Sequence, residues 1–222
     1  VVSAFRLDTP EHCVRLFIER EKVVPKVLAI ASSPRRGGNS ELLLDACLEG
    51  VRETGTDIEK IQVCELRVSP CLNCGGCQET GVCVIDDDMQ ALHRKFAERE
   101  ILIVSSPVFF MGLPAQLKAL VDRCQAIWVR KYLLKRRMPN LDLRRALFIQ
   151  VGGMKPAKVF EGGLKTITAF FATLDYKFHG KLLLNDIDAK GAVRSHPTAL
   201  GEARRLGLEI MTATSSSVRN ER

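Results

Sequence analysis

The sequence predicts an α/β domain built on a doubly wound parallel sheet of five strands with helices on both faces. Two observations carry this. Five short, β-rich apolar runs alternate with helical stretches of ten or more residues, the pattern of repeated βαβ units. The 222 residues are 46% hydrophobic and 27% charged, values that exclude disorder and allow one core without covalent staples. The longest apolar runs, such as Ile101–Val104, fall far short of the roughly 20 residues of a membrane span. No basic patch followed by a long apolar stretch opens the chain, so neither a signal peptide, a membrane protein nor a secreted mini-protein is expected.

Residues 1–25 form an extension in which Glu11–Lys22 is amphipathic and is expected to be an extra helix packed on the surface. The domain proper spans 26–213. Lys26–Ala31 is apolar throughout, as a strand buried on both faces should be. The turn Ser32–Asn39 leads into a helix over Ser40–Thr54, with Leu43, Ala46, Cys47 and Val51 at helical spacing. Ile58–Leu66 is the second strand, followed by a cysteine-rich insertion at 70–84. Asp86–Asp88 offers a cap for a helix over Met89–Arg99, and Ile101–Ser105 is the third strand. Pro114 suits the first turn of a helix that runs to Arg130. Ala146–Val151, Phe160–Leu174, Lys181–Leu184 and Pro197–Ala213 complete the alternation as strand, helix, strand and helix, and 214–222 is expected to be a flexible tail. Five such units suit the flavodoxin-like strand order 2-1-3-4-5.

Ligands of open parallel sheets bind beyond the carboxyl ends of the strands, where the strand order reverses. The first turn there holds Ser32, Ser33, Asn39 and Ser40 as side-chain donors, Gly37 and Gly38 for unusual backbone angles, and Arg35 and Arg36 for charge. It matches neither the nucleoside-triphosphate nor the dinucleotide fingerprint. It reads either as a polar loop with a helix cap or as a seat for a phosphomonoester at a helix start. The loop Ser105–Pro114 is apolar, which is unusual for a loop. Val108, Phe109, Phe110 and Met111, with Gly112, either wall a flat aromatic ligand or lie beneath a neighbouring subunit.

Cys71, Cys74, Cys77 and Cys83 follow the pattern C-x2-C-x2-C-x5-C, whereas Cys13, Cys47, Cys64 and Cys124 are scattered. A disulfide framework spreads its cysteines to close loops, so the crowded set points to a metal or cluster site in a reducing compartment such as the cytoplasm. A 4Fe–4S cluster fits the run best, since all four thiolates serve one cube when no second run exists. Structural zinc prefers two separated pairs, and a redox disulfide needs one pair only.

Together, Ser33–Ser40, the cysteine run, Asp86–Met89 and Ser106–Pro114 resemble the iron–sulfur flavoproteins, part of the NADPH-dependent FMN reductase-like group with the flavodoxin fold. The resemblance covers about residues 26–185. It implies FMN, a 4Fe–4S cluster, and homo-dimers or homo-tetramers in which one subunit's cluster approaches another's flavin. It also implies that Ser33, Arg35, Asn39 and Ser40 hold the FMN phosphate, while Pro107, Val108, Phe109, Phe110, Met111 and Gly112 line the isoalloxazine. Gly152 and Gly153 would form a third wall, and Cys71, Cys74, Cys77 and Cys83 would bind the cluster. Two positions depart from the family pattern: Ser32 stands for a usual glycine, and Phe109 for a frequent tyrosine, which removes a hydroxyl.

The function so implied is an FMN- and 4Fe–4S-dependent oxidoreductase passing electrons between a donor, ferredoxin or NAD(P)H, and an acceptor. The alternatives are an NAD(P)H-dependent FMN or quinone reductase with structural or zinc-binding cysteines, and a cluster-bearing sensor without turnover. No acid–base residue stands out, because His12, His93, His179 and His196 are scattered and read as surface or structural histidines. The basic segment Arg123, Arg130, Lys131, Lys135, Arg136 and Arg137 reads as a solvated helix end or as a docking patch for an acidic carrier or for NADPH phosphates. Nucleic acid is not expected: no binding fold of that kind is visible and the net charge of +7 is moderate.

Overall fold

The computed structural model describes residues 25–217; the expected helix at Glu11–Lys22 lies outside them. Strands β1 (Val27–Ala31), β2 (Ile58–Gln62), β3 (Ile101–Pro107), β4 (Arg145–Val151) and β5 (Lys177–Leu184) form one sheet in the order β2-β1-β3-β4-β5. Every pairing is parallel. The helices are α1 (Asn39–Arg52), α2 (Met89–Glu98), α3 (Ala115–Arg123), α4 (Gln125–Trp128), α5 (Glu161–Thr173) and α6 (Ala199–Ser217).

The period-two alternation of strands divides the core in two. Val27, Ala29, Ala31, Ile101 and Ile103 face α1 and α6, while Leu28, Ile30, Leu102 and Val104 face α2, α3 and α5. Both faces of the central strands are covered, which is why these strands are apolar without interruption. On the first face α1 and α6 meet backbone to backbone. A Cβ at Gly50 would overlap the Arg204 carbonyl, and one at Gly207 the Cys47 carbonyl.

Several boundaries differ from the sequence expectation for physical reasons. The helix expected from Pro114 to Arg130 breaks at Cys124, and α4 passes into a π-turn over Val129–Leu133. That turn is held by ion pairs from Lys131 and Arg137 to the buried Asp175, at 2.8 and 2.5 Å. Burial would raise the Asp175 carboxyl, but these partners and the Met138 N–H hold it below the ordinary value. β2 ends at Gln62 in a short 3₁₀ turn, Val63–Glu65. β5 begins four residues earlier than its apolar run because this edge strand is half exposed and opens on polar residues. Among the described residues no helix is long and apolar enough to cross a membrane.

Candidate functional site

The carboxyl ends of β1, β3 and β4 carry the loops singled out by sequence. Serine side chains fasten the first of them to the sheet: Ser32 Oγ donates to the Ser105 carbonyl (3.0 Å) and Ser105 Oγ to the Ser40 carbonyl (2.6 Å). Ser33 Oγ accepts the Arg35 N–H at 3.1 Å, closing the turn. Glu41 sits beneath it, accepting the Gly37 N–H (2.7 Å), Lys60 Nζ (3.0 Å) and Gln62 Nε2 (2.5 Å). Burial works to raise the Glu41 carboxyl, but these donors hold it below the usual carboxylate range. Asn39 spends its amide on the loop after β5, donating to the Ala189 carbonyl (2.9 Å) and accepting the Val193 N–H (3.2 Å). Its backbone N–H and that of Ser40 open α1, where no intrahelical acceptor exists. Lys190 lies beside this turn, its Cε 3.6 Å from where a Cβ on Gly37 would stand. It had no signal in the sequence beyond a charge in a polar loop.

The loop after β3 is a two-residue turn. Phe109 and Gly112 exchange both backbone hydrogen bonds (3.1 and 2.9 Å), and the central residues Phe110 and Met111 have φ of 46° and 62°. Positive φ at both central positions defines a type I′ turn, which ordinarily takes Asn-Gly. For two bulky residues it costs roughly 1–2 kcal/mol each. Gln150 Nε2 reaches the Gly112 carbonyl at 3.4 Å from below, and Gln150 Oε1 is buried with no partner among the described residues. Gly162 of α5 lets the Met111 carbonyl approach where a Cβ would overlap it.

Val108, Phe110, Met111, Gly152 and Gly153 converge on one cavity of about 640 Å³, with Met154, Val159 and Asp188. Its size and apolar walls match a cofactor-sized site. Phe110 is fully exposed at its mouth. Pro107, Phe109 and Gly112 frame the same loop. Met154 and Asp188 were not anticipated, since they come from loops of ordinary polar composition.

The cysteine segment has no regular strand or helix. Cys71, Cys74, Cys77 and Cys83 nevertheless line a single cavity of about 100 Å³, closed by Arg123, Ala126, Trp128 and Val129. Burial pushes the Cys77 thiol up, and the neighbouring Cys83, Cys71 and Cys74 push it further. Among the described residues no three His, Cys, Asp or Glu side chains converge closely enough for one metal ion.

Arg123, 1% exposed, holds both ends of this segment. It donates to the Ser69 carbonyl (2.9 Å), the Ile85 carbonyl (3.2 Å) and both Asp87 oxygens (2.7 and 3.0 Å). Asp87 also accepts the N–H groups of Ser69 (2.9 Å) and Met89 (3.1 Å), so Asp87 rather than Asp88 caps α2 by its side chain. Burial would raise the Asp87 carboxyl, but Arg123 and these N–H donors hold it below the ordinary value. His93 Nε2 lies 3.2 Å from the Arg123 carbonyl. Burial, with the charges of Arg123 and Arg130, pushes His93 down to about 4, so it is neutral and donates. The expected cap at Asp86–Asp88 is thus present, whereas the Arg123 clasp had no signal, its partners being up to 54 residues away.

A doubly wound sheet with an apolar cavity beside a serine-rich helix start, at the carboxyl ends of its central strands, is the architecture of flavin mononucleotide-binding reductases. Residues 25–175 match the family of NADPH-dependent FMN reductases. An iron-sulfur flavoprotein from Methanosarcina thermophila is 31% identical over 87% of this chain and 93% of its own length. A second, from Methanocaldococcus jannaschii, is 39% identical over 46% of this chain and 53% of its own. Among solved structures, an NAD(P)H:quinone oxidoreductase from Methanothermobacter marburgensis superposes with a TM-score of 0.63 over 84% of this chain and 96% of its own, at 18% identity, a likeness of fold. The chain belongs to the iron–sulfur flavoprotein branch of the NADPH-dependent FMN reductase family, and is a flavoprotein oxidoreductase with FMN as its flavin.

Proposed function

We propose that the chain is a two-centre electron-transfer flavoprotein, with FMN in the cavity between Val108 and Gly153 and a 4Fe–4S cluster on Cys71, Cys74, Cys77 and Cys83. The observation that carries this reading is the convergence of all four thiols on one cavity of an FMN reductase domain. FMN, when bound, would supply hydride or single-electron chemistry and a cluster one-electron chemistry, which would suit exchange between NAD(P)H or a ferredoxin-like donor and an acceptor. The chain's own residues bind and orient. Ser33, Arg35, Ser40 and the backbone N–H of Asn39 hold the phosphate, with the Lys190 ammonium beside them. Pro107, Val108, Phe109, Phe110, Met111 and Gly112 would line the ring, with Gly152 and Gly153 as a further wall of the same cavity.

The two cavities share no lining residue, so each centre is supported by separate loops. Leu72, Val82 and Val84 of the cysteine segment are more than half exposed, at 71%, 56% and 64%, and Phe110 is fully exposed. A second copy of the chain covering these side chains would bring one subunit's cluster to another's flavin, in a homo-dimer or homo-tetramer. The free thiols suit a reducing compartment, the cytoplasm.

Anaerobic purification with FMN, iron and acid-labile sulfide counted per chain, and light scattering for mass, tests the proposal. Roughly four irons, four sulfides and one FMN in an oligomer are expected. FMN with zinc, or with no metal, would leave a flavin or quinone reductase whose cysteines are structural.

A further inference from the structure

Arg123 does more than fasten a loop. Four of its hydrogen bonds go to Ser69, Ile85 and Asp87, residues that flank the first and last cysteines, and they use both terminal nitrogens. The fifth donor, Nε–H, is buried and has no acceptor among the described residues. An orphaned donor on a charged, buried side chain is costly unless a ligand completes it. The guanidinium lines the cysteine cavity, and Cys83 lies close enough to interact with it. Asp87 does not line that cavity. The ion pair therefore presents its guanidinium, and not its carboxylate, to the cavity that the four cysteines line.

We infer that Arg123 sets the reduction potential of the group held by the four cysteines, favouring its reduced form with a fixed charge and one unspent N–H donor. The inference rests on the reading of that group as a 4Fe–4S cluster. Reduction adds one negative charge to the cluster, and fixed positive charge or N–H donation at its sulfurs stabilises that extra electron. The other charged groups nearby do not reproduce this. Arg130 packs against Gly81 through its aliphatic stem. His93 is neutral and points its Nε2–H at the Arg123 carbonyl. A salt bridge this buried gains little stability against an apolar replacement, so its retention at a redox cavity calls for another role.

The test is the midpoint potential of the cluster, read by anaerobic titration with electron paramagnetic resonance, in the full-length protein after iron and sulfide have been counted. Arg123→Gln is expected to move the electron partition about tenfold toward the oxidised cluster, which is 59 mV for one electron. Asp87→Asn removes the carboxylate charge of the pair and is expected to move the potential the opposite way. Arg123→Lys keeps the charge and is expected to stay within threefold of the wild type. Shifts of the same sign in Arg123→Gln and Asp87→Asn, or potentials unchanged in both, would overturn the inference. So would loss of iron from all three variants, which would leave Arg123 as a clasp alone. Wild-type protein free of iron and sulfide would instead remove the cluster reading, before Arg123 is at issue.

Discussion

Gly162→Ala separates the stability of the domain from the construction of its flavin site. Gly162 is the second residue of α5, and a Cβ there would overlap the Met111 carbonyl oxygen, a backbone atom that no rotamer change can clear. The next nearest atoms, Met111 C and Gly112 Cα, would be 3.5 and 3.9 Å away, so the conflict is with one atom. Either α5 or the Phe109–Gly112 turn must move. α5 is anchored by Ile167, Phe170 and Phe171 in the core, whereas the turn is held by its own two hydrogen bonds and by Gln150. The turn moves. Its φ angles are already in the left-handed region, so the displaced form costs the empty protein little. Replacing glycine near a helix start meanwhile gains up to about 1 kcal/mol in helix propensity. Thermal stability should therefore change by less than a few degrees in either direction.

FMN binding must push the turn back, and relieving an overpacked contact of this kind costs roughly 1–3 kcal/mol. The dissociation constant should rise about 5- to 150-fold. Fluorescence titration of the flavin-free protein with FMN measures it. Gly201→Ala is the matched control: among the described residues nothing lies within 4 Å of its Cβ position on α6, so it should leave FMN affinity unchanged. Equal FMN affinity in Gly162→Ala and wild type would refute the assignment of the Phe109–Gly112 turn to the flavin site.

Arg144 is fully buried, donates to the carbonyls of Phe96 (2.6 Å), Arg99 (3.2 Å) and Leu174 (3.3 Å), and stacks 4.0 Å from the Tyr176 ring. Tyr176 Oη also reaches the Phe96 and Arg99 carbonyls (3.3 and 2.7 Å), so Arg144→Met takes the side-chain donor from the Leu174 carbonyl alone and should cost about 1–3 kcal/mol, lowering Tm by roughly 5 °C in a calorimetric scan. Gly207→Ala forces α6 off α1 at the Cys47 carbonyl, and urea unfolding should report a loss of at least about 2 kcal/mol, with FMN stoichiometry unchanged in the protein that folds. Acid should destabilise the domain in two stages. His93 is held neutral down to about 4 against an ordinary 6.5, so the unfolded chain takes up its proton first and stability falls from about pH 6.5 downward. Asp87, Asp175 and Glu41 lie below their ordinary 3.8, 3.8 and 4.5, so their contribution is intact above those values and is lost as pH drops further through the folded ones. Tm measured from pH 8 to 3 checks this, and His93→Gln should flatten the upper stage only.

What was legible in the sequence follows from how locally each feature is encoded. β1, β3 and β4 are buried on both faces, so unbroken apolar runs announce them, and their order follows from the repeated βαβ unit. β3 runs two residues past the expected Ile101–Ser105 because Ser106 and Pro107 continue the pairing with β4, the Ser106 hydroxyl being buried on the Pro107 carbonyl, where a hydropathy pattern reads a loop. The cysteine spacing and the apolar loop after β3 were visible because they break the composition expected of loops. The positive φ of Phe110 and Met111 was not, since nothing in those side chains asks for it. Lys190 and Asp188 sit in a segment of ordinary loop character, brought to the site by the hydrogen bonds of Asn39. The Arg123–Asp87 pair joins residues 36 apart, and in the sequence each looks like a surface charge.

The two centres are supported in opposite ways, and the difference follows from what each must hold. The segment between Ser69 and Met89 has almost no apolar core of its own, and its order comes from side chains bonding to backbone. Arg123 and Asp87 tie its two ends, Asp88 accepts the Arg67 N–H (2.8 Å), and Gln90 donates to the carbonyls of Cys83 (2.7 Å) and Ile85 (3.0 Å). Four thiols are thereby presented together on a segment that is itself neither strand nor helix but is tied down by side chains of α2 and α3, which lowers the ordering entropy that a cluster would otherwise meet on binding. The cavity proposed for the flavin instead relies on a turn with two residues at positive φ, fully exposed at Phe110 and held from below by Gln150. A rigid clasp suits the cluster proposed for the four cysteines, whose potential would depend on fixed charges. A yielding turn suits a flat cofactor whose open face must admit a donor or a second centre. That division makes the two sites separable by mutation: changes at Arg123 should act on potential with FMN affinity intact, and changes at Gly162 on FMN affinity with the cysteine cavity intact.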